Sequence, residues 1–153
     1  MEMPRPSPEQ QALEIMTGDW LGDEHIQPGP FDPVGGPAIG RTRNRTALDG
    51  FAIIQDYEQE RNGATNFRGH GVFRWDAAES CYMLHWFDSM GFPPSTYRGT
   101  LINKVLTLMA PKGEGKVRAT WDFSTPGRIQ YKQEVSPDGA KWFVFMEGEY
   151  ARQ

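Results

Sequence analysis

The sequence has a single cysteine, Cys81, among 153 residues. One cysteine gives no intrachain disulfide, and a chain of this length can bury a core without one. No apolar run approaches the length of a membrane-spanning helix. The opening Met1-Glu2-Met3-Pro4-Arg5-Pro6 lacks the apolar centre of a signal peptide, so the cytoplasm is the expected location. Charge of one sign is also missing. Sixteen basic residues against 20 acidic ones leave a net charge of −4, so neither nucleic acid nor a membrane surface is an expected partner. Arg41, Arg43 and Arg45 form the one tight basic set, and their alternation puts them on a single solvated strand face. With three histidines and no Cys-x-x-Cys, His-x-His, Gly-x-Ser-x-Gly or phosphate-cradling glycine loop, the common zinc, hydrolase and nucleotide signatures are all absent.

What is abundant is aromatic residues and glycine: 12% Phe, Trp and Tyr, five tryptophans and 17 glycines. That mixture suits β-structure with tight turns. Residues 1–17 form a loose N-terminus and a short capping helix. Ser7 is the cap, Pro8 takes the first helical position, Gln10 stands three after the cap, and Gly18 ends a helix of about nine residues. From Asp19 the period changes to two, with Trp20, Gly22, Glu24 and Ile26 on one face. A Gly/Pro-rich loop spans Pro28–Pro37, longer than a hairpin needs. Asp49-Gly50, Asn62-Gly63, Pro126-Gly127 and Asp138-Gly139 then mark turns between alternating segments. Residues 18–153 therefore read as one all-β domain of about ten strands. Closing that meander into an antiparallel up-and-down barrel removes its exposed edges.

Hairpin registers divide the central strands into two faces. One carries Ala52, Ile54, Phe67, Gly69, Gly71, Phe73, Trp75, Tyr82, Leu84 and Trp86, with Asp56, Glu58 and Asp88 toward one end. It is the more apolar face and is expected to point inward. The other carries Ile53, Gln55, Tyr57, His70, Val72, Cys81, Met83 and His85, and pairs His70 with His85.

Gly18-Asp19-Trp20-Leu21-Gly22 resembles the Gly-x-Trp opening of the calycin superfamily, which includes lipocalins, fatty-acid-binding proteins and nitrobindin-like barrels. Trp86-Phe87-Asp88-Ser89-Met90-Gly91, Leu48-Asp49-Gly50-Phe51, Tyr57-Glu58 and Glu149-Tyr150 resemble the layout of a bacterial family of unknown function within that superfamily. The resemblance covers roughly residues 12–152. It implies a calycin-type barrel that binds a small molecule, without an assigned activity.

Four functional readings follow. The leading one is a binding protein that takes a small apolar or amphipathic molecule, with no cofactor, into a pocket formed by Trp20, Asp56, Phe73, Trp75, Trp86, Asp88, Trp121 and Tyr131. A second is a haem or metal barrel using His70 or His85. Against it, nitrobindin-like proteins place their haem-binding histidine near the chain end, and residues 126–153 contain none. A third is an acid–base enzyme working with Asp56, Glu58 and Asp88, if two of them converge. The fourth is a structural barrel with a filled core that forms a homodimer through an outward Phe143/Phe145 patch.

Overall fold

The computed structural model describes residues 1–30 and 32–153; Phe31, in the first long loop, lies outside the described residues. Helix α1 (Pro8–Ala12) starts where Ser7 Oγ accepts the Gln10 N–H at 3.2 Å. It then tightens into a 3-10 turn over Leu13–Met16. Gln10 does not complete a capping box. Its side chain is buried and accepts the Trp75 backbone N–H at 2.7 Å instead.

Ten strands follow: β1 (Gly18–Ile26), β2 (Gly36–Ala47), β3 (Ala52–Arg61), β4 (Ala64–Asp76), β5 (Cys81–Asp88), β6 (Ser95–Ile102), β7 (Val105–Lys112), β8 (Gly115–Asp122), β9 (Arg128–Ser136) and β10 (Phe143–Arg152). Each pairs antiparallel with its sequence neighbour, and β1 pairs with β10, so the sheet is a closed barrel as expected. Asn62-Gly63 and Asn103-Lys104 make two-residue turns with both residues at positive φ, which matches the strand twist. No helix among the described residues is long and apolar enough to cross a membrane.

The register corrects the expected faces on β3. Arg61 opposes Ala64 as the turn requires, but a bulge leaves Asn66 unpaired, and Gln59 meets Phe67. One extra residue flips every later side chain to the other face. Ile53, Gln55, Tyr57 and Gln59 point inward and are buried, while Asp56 and Glu58 point out and are exposed. On β4 and β5 the inward set is the expected one, because the difference there is two residues. Trp75 opposes Tyr82, and Phe73 opposes Leu84. His70 therefore faces Phe87, and His85 faces Val72, so the two histidines are not partners. A second bulge, at Phe145, shifts β10. Val135 opposes Phe143, and Tyr131 opposes Gly148 rather than Met146. Phe143 stays exposed, but Phe145 packs half-buried against the Ile26, Ala38 and Met146 cluster and lines the barrel cavity, so the expected double-phenylalanine outer patch does not form. Trp142 lies outside the barrel, stacked 4.1 Å from the Arg118 guanidinium.

The core fills the helix end of the barrel: Leu13, Met16, Trp20, Ile53, Phe73 and Leu106 are all nearly inaccessible there. Met16 O accepts both the Trp20 indole N–H (3.0 Å) and the Asn44 amide (2.9 Å), and Tyr82 Oη donates to Glu9 O at 2.8 Å. Hydrogen bonds and apolar contact together fix the helix as a plug.

Candidate functional site

In an up-and-down barrel successive connections alternate between the two ends. The plug closes the end that carries the β2–β3 and β8–β9 turns. From the other end a cavity of about 540 Å³ runs into the barrel. Its mouth is bordered by Asp32, Met90, Phe92, Pro93, Lys112 and Phe145, with Met90 and Phe92 more than half exposed. Inside, aromatic walls come from Trp86, Tyr97, Trp121, Tyr131 and Tyr150. The interior is thus neither solid nor wholly apolar.

Glycine sets the shape of one wall. A Cβ on Gly69 would lie 2.2 Å from the Trp86 ring, and one on Gly71 would lie 3.2 Å from it. The room these glycines leave is filled by the indole, which lies against the backbone of β4. Its N–H donates to Asp88 Oδ2 at 2.9 Å, and Asp88 Oδ1 accepts the Met90 N–H.

Glu24 is the one carboxylate on the inward face of β1, and it is 3% exposed. It accepts from the Tyr57 hydroxyl (2.7 and 2.8 Å), from the Gln59 amide (3.1 Å) and from the Tyr150 hydroxyl. Gly40 leaves it space, since a Cβ there would stand 2.3 Å from its Oε2. Burial raises the Glu24 pKa, and the three hydrogen bonds oppose the rise without cancelling it. Burial, and next the charge of Glu24, raises the pKa of Tyr57 and Tyr150. Burial also pushes Tyr97 up to about 12, with the nearby Asp88 charge adding to it.

The sign of the Glu24 shift gives a pH prediction. A carboxyl whose pKa is raised on folding contributes stability that is fully present below its ordinary value of 4.5 and is lost as pH rises through the folded value. The stability margin of the wild type over Glu24→Gln should therefore shrink between pH 4.5 and pH 7.5 in parallel urea denaturations. A margin that widens would mean that the three donors outweigh desolvation.

Of the residues expected at a pocket, Trp86, Asp88, Trp121 and Tyr131 line the cavity. Trp20, Phe73 and Trp75 belong to the packed end. Asp56 stands on the outer surface, its Oδ1 2.7 Å from His70 Nδ1. Glu58 is also outside, paired with Arg68 at 3.3 Å, so Asp56, Glu58 and Asp88 do not converge. His85 takes the Arg74 Nε–H on its Nε2 at 3.0 Å; burial, then the charges of Arg74 and Arg98, lowers its pKa. Among the described residues no histidine lines the cavity, so neither His70 nor His85 can reach a haem held there. Nor does any group of three or more His, Cys, Asp or Glu side chains among them come together to hold a metal.

Sequence reasoning missed Asn44, Gln55, Tyr57, Gln59, Tyr97 and Tyr150, and it placed Glu24 on the Trp20 face without a role. The signal for Glu24 was available. An acidic residue two positions from an apolar one on either side, on an alternating strand, is a buried titratable group.

One family model, described as "Protein of unknown function (DUF1579)", matches residues 5–152. The chain belongs to this family. Solved structures similar to the DUF1579 barrel include the following two. The crystal structure of Rv2717c from M. tuberculosis superimposes with a TM-score of 0.72 at 13% identity, covering 97% of this chain and 99% of that one. The S-type phycobiliprotein lyase CPES from Guillardia theta gives 0.62 at 10% identity, covering 97% and 98%. At these identities the likeness is one of fold. No curated protein matches the sequence. Membership assigns the DUF1579 barrel no activity, so its cavity carries the functional argument.

Proposed function

We propose that this protein is a calycin-type binding protein that holds a small, partly apolar molecule inside its barrel. The observation that carries this reading is the cavity, which is closed by the plug at one end, open at the other, and lined by aromatic rings with a few inward polar groups. Failure of Asp56, Glu58 and Asp88 to meet favours binding over acid–base catalysis. A ligand of about 20 non-hydrogen atoms at ~0.3 kcal/mol per atom would bind with a Kd of roughly tens of micromolar.

Trp86 and Trp121 line the cavity and report on it. Titrating a panel of apolar and amphipathic metabolites should quench or shift tryptophan fluorescence for at least one member. Ala119, buried in the cavity wall, offers a blocking variant. Ala119→Phe, checked for fold by circular dichroism, should abolish that response. A panel that leaves the wild-type spectrum unchanged, or a response that survives in Ala119→Phe, overturns the reading.

A further inference from the structure

Asn44 stands on the floor of the cavity with an unanswered acceptor. It is on the inward face of β2, is 4% exposed, and lines the cavity where the plug closes it. Its Nδ2 donates to Met16 O at 2.9 Å, and Met16 is part of the plug. A carbonyl can only accept, so this bond fixes which end of the amide is nitrogen and leaves Oδ1 as the other end. Oδ1 has no hydrogen-bond partner among the described residues. The Trp20 indole N–H cannot serve it, because that donor is also taken by Met16 O. A buried acceptor left unpaired is costly.

The other polar side chains of the cavity do not discriminate in this way. Gln55 opposes Asn44 across β2 and β3 and lines the cavity beside it, and its amide can present either end. Thr42, on the same face of β2, has a hydroxyl that can donate or accept. Ser95 and Gln133 add donors elsewhere in the wall. Asn44 differs because the plug fixes its polarity. A group that reaches the floor with an O–H or N–H satisfies Oδ1. A group that carries only lone pairs, such as a ketone, an ether or a carboxylate, leaves Oδ1 unpaired and sets two acceptors against each other.

We infer that Asn44 selects, among small partly apolar molecules, those with a hydrogen-bond donor, a hydroxyl or an N–H, at the end that enters first. The inference rests on the binding reading above and adds the chemistry of the cavity floor. Two probes test it: trans-4-phenylcyclohexanol and 4-phenylcyclohexanone, which match in size and differ at one end, where a hydroxyl replaces a carbonyl. In calorimetric titrations at pH 7 the alcohol should bind about tenfold tighter than the ketone. Asn44→Leu keeps the side-chain size and removes the acceptor. In a variant whose circular dichroism matches the wild type, the alcohol's advantage should fall to about twofold or less. An advantage that persists undiminished there overturns the assignment to Asn44. The wild-type ranking needs no variant and stands as a test by itself. A ketone that equals or surpasses the alcohol overturns the inference and leaves the pocket reading in place; equal affinities would mean that water supplies the donor to Oδ1 in both complexes. Silence from both probes, when the metabolite panel yields a binder, also overturns it. Silence from the probes and the panel together overturns both readings.

Discussion

Trp20→Ala should lower the unfolding free energy by about 3–5 kcal/mol, the range for removing a buried aromatic side chain. Trp20 is 2% exposed, and its ring meets Phe123 edge-on at 6.4 Å. The Arg152 guanidinium lies 4.4 Å from the same ring, and the indole N–H holds Met16 O. The substitution therefore opens a void at the closed end and loosens the plug as well. For a chain of 153 residues, each kcal/mol is worth about 2–4 °C in Tm, so a fall of roughly 10 °C is expected by calorimetry. Trp142→Ala is the control, because that ring lies outside the barrel against Arg118 and should cost far less. Equal losses at the two sites would mean that the plug is not coupled to the barrel.

Gly22→Ala should be nearly as damaging, at the upper end of the ~1–3 kcal/mol typical of overpacking. Gly22 opposes Tyr150 across the β1–β10 seam. A Cβ there would stand 1.8 Å from the Glu149 carbonyl oxygen and 2.7 Å from the Tyr150 Cα. Both are backbone atoms, so relief requires the two strands to part. The contrast with Gly69 is instructive, because a methyl there meets the Trp86 ring, which can rotate away. Parting the seam also pulls Tyr150 from Glu24. Thermal denaturation and amide exchange at the seam would measure the effect. Gly29→Ala, with no atom of the described residues within 4 Å of the added Cβ, is the neutral control. A Gly22→Ala protein with wild-type Tm and exchange would refute this account of closure.

The barrel itself was legible because its evidence is local. Ser7-Pro8, Asn62-Gly63 and the clean alternation of Val117, Ala119 and Trp121 each specify an element without reference to the rest. The β3 faces were not legible in the same way. Ala52-Ile53-Ile54 is apolar on both faces, and the bulge at Asn66 leaves no mark in the alternation. One clue was present, since Asp56, Glu58 and Glu60 share a face, and three acids in a row argue for solvent. The candidate site was half legible. Aromatic residues on β4, β5, β8 and β9 announce an interior. Asn44, Gln59 and Tyr150 acquire their meaning from partners on distant strands, and a single sequence does not pair these.

Nine of the ten strand pairings join sequence neighbours, and the tenth joins β1 to β10. Tyr150 is 126 residues from the Glu24 it bonds. During folding the nine hairpins can zip in sequence at little entropic cost, but the seam must close a loop of nearly the whole chain. In a still flexible chain that closure would cost about 4 kcal/mol in loop entropy, so zipping the hairpins first lowers the cost of closing the seam. Until it happens β1 presents a bare edge, and the wall that holds Glu24 is missing a side. A nascent chain that lacks its last ten residues thus has most of a barrel and an unfinished cavity. Closure of the seam is the step that completes the cavity wall and shields the β1 edge from other chains.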